Sequence, residues 1–394
     1  MKTIALAAAA LALGAGAARA QIALPPLPPP LGGVTQAVPA LGERLGLAET
    51  LAEARRLQVR ALLRTHRTAL EADPDGEPIV RRRVLAIGAS PAAIEAARAA
   101  GFSVDARDDI DGLGALVTLS APPGMSTARA LRRLRRLDPE GTYDFDHLHL
   151  PSAAGVGAAA PPPPGGAARV RIGLIDTGVG PALAPAVAAQ RSFAGPAAVP
   201  GAHGEIVAGL LAAEGGVSLI VADIYGGAPT GGASSALARA LAWLAGEGPP
   251  VINVSLVGPR NRVVEAVVAQ LVGRGFLIVA AVGNDGPAAA PLFPAAYPGV
   301  VGVTAVDARE RVLVEAGRGP QVDFAAPGVI DGPAPARGTS FAAPIVARAL
   351  AQEAARPDPA AAARALAAAR ARARDLGPRG RDDTYGDGLL AAAR

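Results

Sequence analysis

Three short stretches in the second half of the chain place a polar side chain where an apolar one would pack better. Ile172-Gly173-Leu174-Ile175-Asp176-Thr177-Gly178 reads as a buried strand that ends in a carboxylate and a glycine turn. His203-Gly204-Glu205-Ile206-Val207 opens an apolar helix with the last histidine of the chain. Gly338-Thr339-Ser340-Phe341-Ala342-Ala343-Pro344 surrounds a serine with small residues at a helix start, where a proline is still tolerable. A serine hydroxyl is a poor nucleophile at neutral pH and needs a base within hydrogen-bond reach. A hydroxyl, an imidazole and a carboxylate are therefore the parts of an activated nucleophile. Each part also has an ordinary reading: Asp176 as a turn residue, His203 as a surface residue, Ser340 as a helix N-cap.

The elements that must position these residues follow from periodicity. From residue 169 onward, apolar runs at 169–175, 218–222, 251–255, 277–281 and 300–305 read as strands, and helices follow from His203, Ser234 and Ser340. That alternation implies an α/β fold with a mostly parallel sheet and helices on both faces. A ligand then belongs at the carboxyl ends of the strands. Upstream, residues 80–150 read as a small β-α-β-β-α-β unit, with strands near 84–87, 102–106, 116–119 and 147–150. Its first helix has Ser90 as N-cap, Pro91 in the first position and Gly101 as terminator. Residues 151–168 are an Ala/Gly/Pro linker, and 21–79 a proline-rich spacer followed by a helix over 42–70. Residues 1–20, with Lys2, an apolar stretch and Ala18-Arg19-Ala20, fit a cleavable signal peptide. The expected product is secreted or periplasmic, with no membrane span once that segment is removed.

Composition narrows the chemistry. The net charge is +4, and the densest basic run, Arg132, Arg133, Arg135 and Arg136, is followed by Asp138 and Glu140. That is the solvated face of a helix rather than a nucleic-acid surface. The chain has no cysteine, which excludes disulfides, thiol catalysis and iron–sulfur clusters. Its four histidines do not cluster as a zinc site, and Asp223, Asp307 and Asp323 are isolated and read as turn or surface residues. No metal and no cofactor is expected.

The three stretches, in the order Asp, His, Ser, resemble the signature motifs of the subtilisin-like serine proteases (subtilases, peptidase S8) over about residues 169–350. Further segments are similar: Val251-Ile252-Asn253-Val254-Ser255-Leu256, Ala281-Val282-Gly283-Asn284, Phe293-Pro294-Ala295-Ala296-Tyr297-Pro298 and Asp383-Thr384-Tyr385-Gly386-Asp387-Gly388-Leu389. The resemblance implies a subtilisin-like sheet with Asp176, His203 and Ser340 as catalytic triad and Asn284 in the oxyanion hole. It implies substrate binding by Ser255, Leu256 and Val257 and by Ala281, Val282 and Gly283, and a cis peptide bond before Pro294. Residues 80–150 resemble the ferredoxin-like inhibitory propeptide of these zymogens. Its end, Asp144 to Leu150, would lie in the cleft like a product strand, with self-cleavage in the linker beyond. The implied activity is that of a serine endopeptidase working through an acyl-enzyme, with protein or peptide substrates and its own propeptide as partners. Three positions depart from the pattern: Glu205 where threonine is usual, Val257 where glycine is usual, and Leu292 near a position that is often glycine. The last two should shrink the pocket for the residue before the scissile bond (P1) and favour small or modest apolar side chains there. The alternative is a catalytically silent protein of the same fold that binds peptides. An esterase is disfavoured, because no Gly-x-Ser-x-Gly elbow surrounds Ser340.

Overall fold

Strands that are apolar on alternate residues need one covered face, and those that are apolar throughout need two. Both of the larger sheets are covered on two faces. The computed structural model describes residues 41–152, 170–331 and 335–391, without the side chains of 41–50 and 52. The expected signal peptide, the proline-rich spacer and nearly all of the linker lie outside the described residues.

Helix α1 (Leu41–Thr65) leads into β1 (Leu70–Ala72), β2 (Pro78–Ile87), α2 (Pro91–Ala99), β3 (Ser103–Ile110), β4 (Gly114–Ser120), α3 (Thr127–Leu137) and β5 (Thr142–His147). The sheet is antiparallel. β2 lies between β4 and β5, β3 flanks β4, and β1 pairs with the start of β2. The β-α-β-β-α-β order is present, with pairing that begins at Leu70 rather than at residue 80. Ser90 Oγ accepts from Ala93 N–H at 3.1 Å, so the α2 cap forms where the sequence predicts it. Val84, Ala86, Val117 and Leu119 face α2 and α3. On the opposite face, Leu85, Ile87, Ile110 and Leu116 join the core of the second unit. The last strand ends at His147 and does not run through residue 150. Leu148 N–H still donates to Pro78 O at 2.9 Å, but His149 N–H donates to Gly232 O at 2.7 Å, and the chain crosses over. It then forms β6 (Leu150–Pro151).

The second unit contains β7 (Val170–Asp176), β8 (Val187–Ser192), α4 (Ala202–Ala212), β9 (Val217–Asp223), α5 (Ser234–Glu247), β10 (Val251–Val254), β11 (Leu256–Val257), α6 (Arg262–Gly273), β12 (Leu277–Ala281), β13 (Val301–Val306), β14 (Phe324–Pro327), α7 (Thr339–Ala351) and α8 (Pro359–Arg372). Seven strands in the order β14-β13-β12-β10-β7-β9-β8 form a sheet in which every pairing is parallel. Helices α4, α7 and α8 cover one face and α5 and α6 the other. Ala342, Ala343 and Ala347 of α7 are fully buried. The alanine-rich composition thus lets this helix lie close against the strands. β8 is missed by sequence reading because its outward residues are polar, and β14 because it is short. No helix among the described residues is long and apolar enough to cross a membrane.

Strand β5 fastens the first unit to the second. The residue before α5 is Ala233, which cannot cap. Asp146 does so instead, accepting from Ser235 N–H at 2.8 Å and Ser235 Oγ at 2.9 Å. Asp144 accepts from Arg262 N–H at 2.7 Å at the start of α6, and Asn261 Nδ2 donates to Phe145 O at 2.8 Å. A carboxylate at a helix N-terminus contributes about 0.3–1 kcal/mol, so the two together hold the sheet across α5 and α6.

Candidate active site

β7 is where the strand order reverses, with β9 and β8 on one side and β10 on the other. A crevice opens at such a point beyond the carboxyl ends of the strands. Asp176 is the last residue of β7 and His203 is the second of α4. His203 Nδ1 lies 2.9 Å and 2.8 Å from the two carboxylate oxygens of Asp176. Thr177 N–H donates to the same carboxylate at 2.7 Å. A proton held on Nδ1 leaves the lone pair on Nε2. That Nε2 is buried and has no hydrogen-bond partner among the described residues.

Ser340 sits in the first turn of α7 and is fully buried. Pro344, four residues on, has no N–H, so the Ser340 carbonyl lacks its helical donor. Ser255 Oγ donates to that carbonyl at 2.9 Å, and Asn253 Nδ2 donates to Ser255 Oγ at 2.9 Å. In return Ser340 Oγ donates to Ser255 O at 3.0 Å. The carboxylate–imidazole link is therefore made, while the hydroxyl is turned to a backbone carbonyl instead of to His203. The reason is local: Ser152 Oγ lies against Ser340 Oγ, and Ser255 O is a competing acceptor.

Asn284 follows β12 beyond Gly283. Its Oδ1 accepts from Thr339 N–H at 3.1 Å, while Thr339 Oγ1 accepts from Gly283 N–H at 3.2 Å. The amide is thereby oriented, and Nδ2 is buried without a partner among the described residues. The next residue, Asp285, has its carboxyl pushed up by burial, with Arg55 of α1 opposing the shift from 3.1 Å away.

The crevice is filled by the chain itself. β6 runs antiparallel to β11, with Pro151 opposite Leu256 and Leu150 opposite Val257. Ser152 N–H donates to Ser255 O at 3.4 Å. Tyr225 OH donates to His149 O at 3.1 Å. The His149 ring is fully buried against Gly258, where a Cβ would stand 2.6 Å from its Cδ2. Its pKa is lowered to about 3. Burial does most of this, the positive charges of His147 and Arg55 add to it, and the bond to Gly232 O works against it. Outside the strand, Leu62 of α1 packs with Leu148, Leu150 and Ala233.

Of the six expected substrate-binding residues, Ser255, Leu256 and Val257 lie along residues 150–152 of the chain itself. Val282 N–H is given to Val303 O at 3.1 Å, and Gly283 O accepts from Gly317 N–H at 2.9 Å. Ala281 is paired within the sheet opposite Val303. The Phe293–Pro294 bond is cis. Asp223 is not a surface residue: it is fully buried and accepts from Val199, Tyr225 and Gly226 N–H at 2.8–2.9 Å. No group of three or more candidate metal ligands occurs among the described residues. Sequence reading missed Ser152, Thr339, Tyr225 and the reach of α1. Only Thr339 carried a signal, since it lies inside the serine motif.

The subtilase family (Peptidase_S8) matches residues 168–388. Alkaline elastase YaB of Bacillus sp. (strain YaB) is 34% identical over 204 residues, covering 45% of this chain and 52% of the elastase. Subtilisin BL of Lederbergia lenta is 36% identical over 166 residues, covering 38% of this chain and 61% of that protein. The chain thus spans between half and two thirds of the length of these curated relatives. Fervidolysin from Fervidobacterium pennivorans, a keratinolytic enzyme related to subtilisin, superposes with a TM-score of 0.65 at 19% identity, covering 81% of this chain and 61% of its own. At that identity the likeness is one of fold.

Proposed function

The chain belongs to the subtilase family, and on that premise we propose that it is a serine endopeptidase with Ser340 as nucleophile, His203 as base and Asp176 as the group that orients the imidazole. One observation carries this reading. The two atoms that acyl transfer needs free, His203 Nε2 and Asn284 Nδ2, are buried and unpartnered among the described residues. The other end of each side chain is held, by Asp176 and by Thr339. An unsatisfied buried polar atom costs about 1–3 kcal/mol. That cost makes sense where a transition state supplies the partner.

In this mechanism the Ser340 hydroxyl turns from Ser255 O to His203 Nε2 and loses its proton as Oγ attacks the scissile carbonyl. Asp176 stabilises the imidazolium. The oxyanion accepts from Asn284 Nδ2 and from the Ser340 N–H at the start of α7, where one such donor contributes about 2.7–4 kcal/mol. His203 then protonates the leaving amine, and water repeats the sequence on the ester. The substrate binds as an added strand along Ser255 to Val257. The N-terminal unit is an inhibitor that uses the same mode, and the site of action is outside the cytoplasm.

A fluorophosphonate probe and an unfolded protein substrate test the proposal. The chain, incubated until its N-terminal unit is released, should be labelled and should hydrolyse the substrate, and Ser340→Ala should do neither. A released chain that does neither, or a Ser340→Ala chain that does both, would overturn it.

A further inference from the structure

We infer that Asp223 is a positioning residue of the catalytic site, a second carboxylate that fixes the segment delivering His203 and acts on the imidazole through its charge. The inference rests on the peptidase reading above and deepens it. Asp176 and Asp223 end the neighbouring strands β7 and β9 and stand opposite each other in register. Both side chains project to the same face. Along β9, Val217, Leu219 and Val221 belong to the core under α4 and α7, while Ile220 and Ala222 belong to the core on the other side. Side chains alternate along a strand, so Asp223 points with Val221 toward α4. By the same count Asp176 follows Ile172 and Leu174 to that face. Two carboxylates thus stand on adjacent strands, with backbones about 4.8 Å apart, at the end of the sheet where α4 begins.

The first carboxylate touches the imidazole, and the second touches the chain that leads to it. Asp223 Oδ2 accepts from Val199 N–H, which lies just before α4. Its Oδ1 accepts from Tyr225 and Gly226 N–H. The Val199 side chain is exposed, so the backbone bond rather than apolar packing holds this segment. On its other side Gly201 N–H donates to Gly178 O at 3.0 Å, and Thr177 Oγ1 donates to Gly201 O at 3.2 Å. The entry to α4 is therefore clamped between the turn after Asp176 and the carboxylate of Asp223. Gly201 occupies the N-cap position and no side chain caps the helix, so these contacts orient the first turn, with His203 in it. A carboxylate suits the place better than an amide: all three contacts come from N–H donors, and an amide would turn its own NH2 against one of them. Burial pushes the Asp223 carboxyl up, the three donors oppose this, and the charge of Asp176 adds to the rise. The other titratable residues of α4 and of the helix and strands packed on it are Glu205 of α4, Arg171 of β7 and Arg348 of α7. Arg171 and Arg348 sit at the ends of their elements away from the site and pair with Glu247 and Glu214. Glu205 is common to every chain compared below, so its influence cancels.

Steady-state kinetics on a peptide substrate test this. Each chain is freed of its N-terminal unit by a trace of added metalloprotease that is then inhibited, and its active sites are counted by fluorophosphonate titration. Asp223→Asn should lower kcat per titrated site by about 10- to 100-fold and change KM by less than about 3-fold, because the residue orients the base and does not touch substrate. The acidic limb of the kcat/KM profile should move to lower pH by about half a unit, since the lost negative charge no longer favours the imidazolium. A loosened structure alone would lower the rate without moving that limb. Val199→Pro deletes the donor and keeps the carboxylate; it should lower kcat by a similar factor with the limb in place, and it tests the anchor even where Asp223→Asn does not fold. An Asp223→Asn chain with the wild-type kcat, with its loss in KM, or with an unmoved limb overturns this inference alone, as does Val199→Pro at the wild-type rate. A wild-type chain that neither labels nor cuts overturns it together with the peptidase reading.

Discussion

Acidification should loosen the strand that fills the cleft, and the size of the effect follows from His149. Its imidazole has an ordinary pKa of 6.5 when exposed and about 3 when buried between Gly232 and Gly258. The docked state binds fewer protons than the released state. Docking is therefore unaffected above neutrality and weakens as pH falls below 6.5, until the docked value is passed near 3. Between pH 7.5 and pH 5 the loss is about 2 kcal/mol, or about 30-fold in the opening equilibrium. That figure depends on the released value alone, because pH 5 still lies above the docked one. Asp73 adds little in this window. Burial pushes its carboxyl up, but the bond to His147 and backbone donors hold it below the usual range, so its contribution is lost only at lower pH. The assay is hydrogen exchange at the His149 and Ser152 amides in the full-length Ser340→Ala chain, corrected for intrinsic rates. Protection should fall about 30-fold from pH 7.5 to 5 in that chain and under about 3-fold when His149→Phe is added. Both chains keep His147 and Asp73, so their influence cancels. An equal fall in both, or no fall in the first, would refute the reasoning.

Three other outcomes are expected. Asn284→Ala removes the side-chain donor to the oxyanion and should lower kcat/KM by about 100- to 1000-fold with KM little changed; an unchanged rate on a peptide substrate would remove Asn284 from the site. Ser255→Ala strips the donor from the Ser340 carbonyl and should destabilise the chain by about 1–3 kcal/mol in thermal or denaturant unfolding. Adding Pro344→Ala, which returns an N–H one turn along α7, should recover part of that loss, and no recovery would mean that the carbonyl does not depend on Ser255. Leu62→Asp puts a carboxylate among Leu148, Leu150 and Ala233. With Ser340→Ala present, it should speed clipping of residues 148–152 by a trace of added protease about 10-fold or more; an unchanged rate would show that α1 does not cover the strand.

What could be read in the sequence was whatever depends on neighbours along the chain. The period of the apolar residues predicts an α/β unit with a parallel sheet, because a strand buried on both faces has to be apolar at nearly every residue. Ser90 and Pro91 predict the start of α2, because caps act over a single turn. Asp176, His203 and Ser340 stand out because each places a polar group where an apolar one would pack better, whereas Asn284 is legible only through the family resemblance. The tertiary structure decided what depends on partners far apart in the chain. Asp176 finds His203 only because β7 ends beside the start of α4, and Ser340 needs Ser255 because Pro344 withholds a donor. Ser152 looks like the ordinary edge of a linker until β6 is laid along β11 and brings it against Ser340. Side-chain proximity of this kind is set by the closure of the sheet, and no spacing within a motif encodes it.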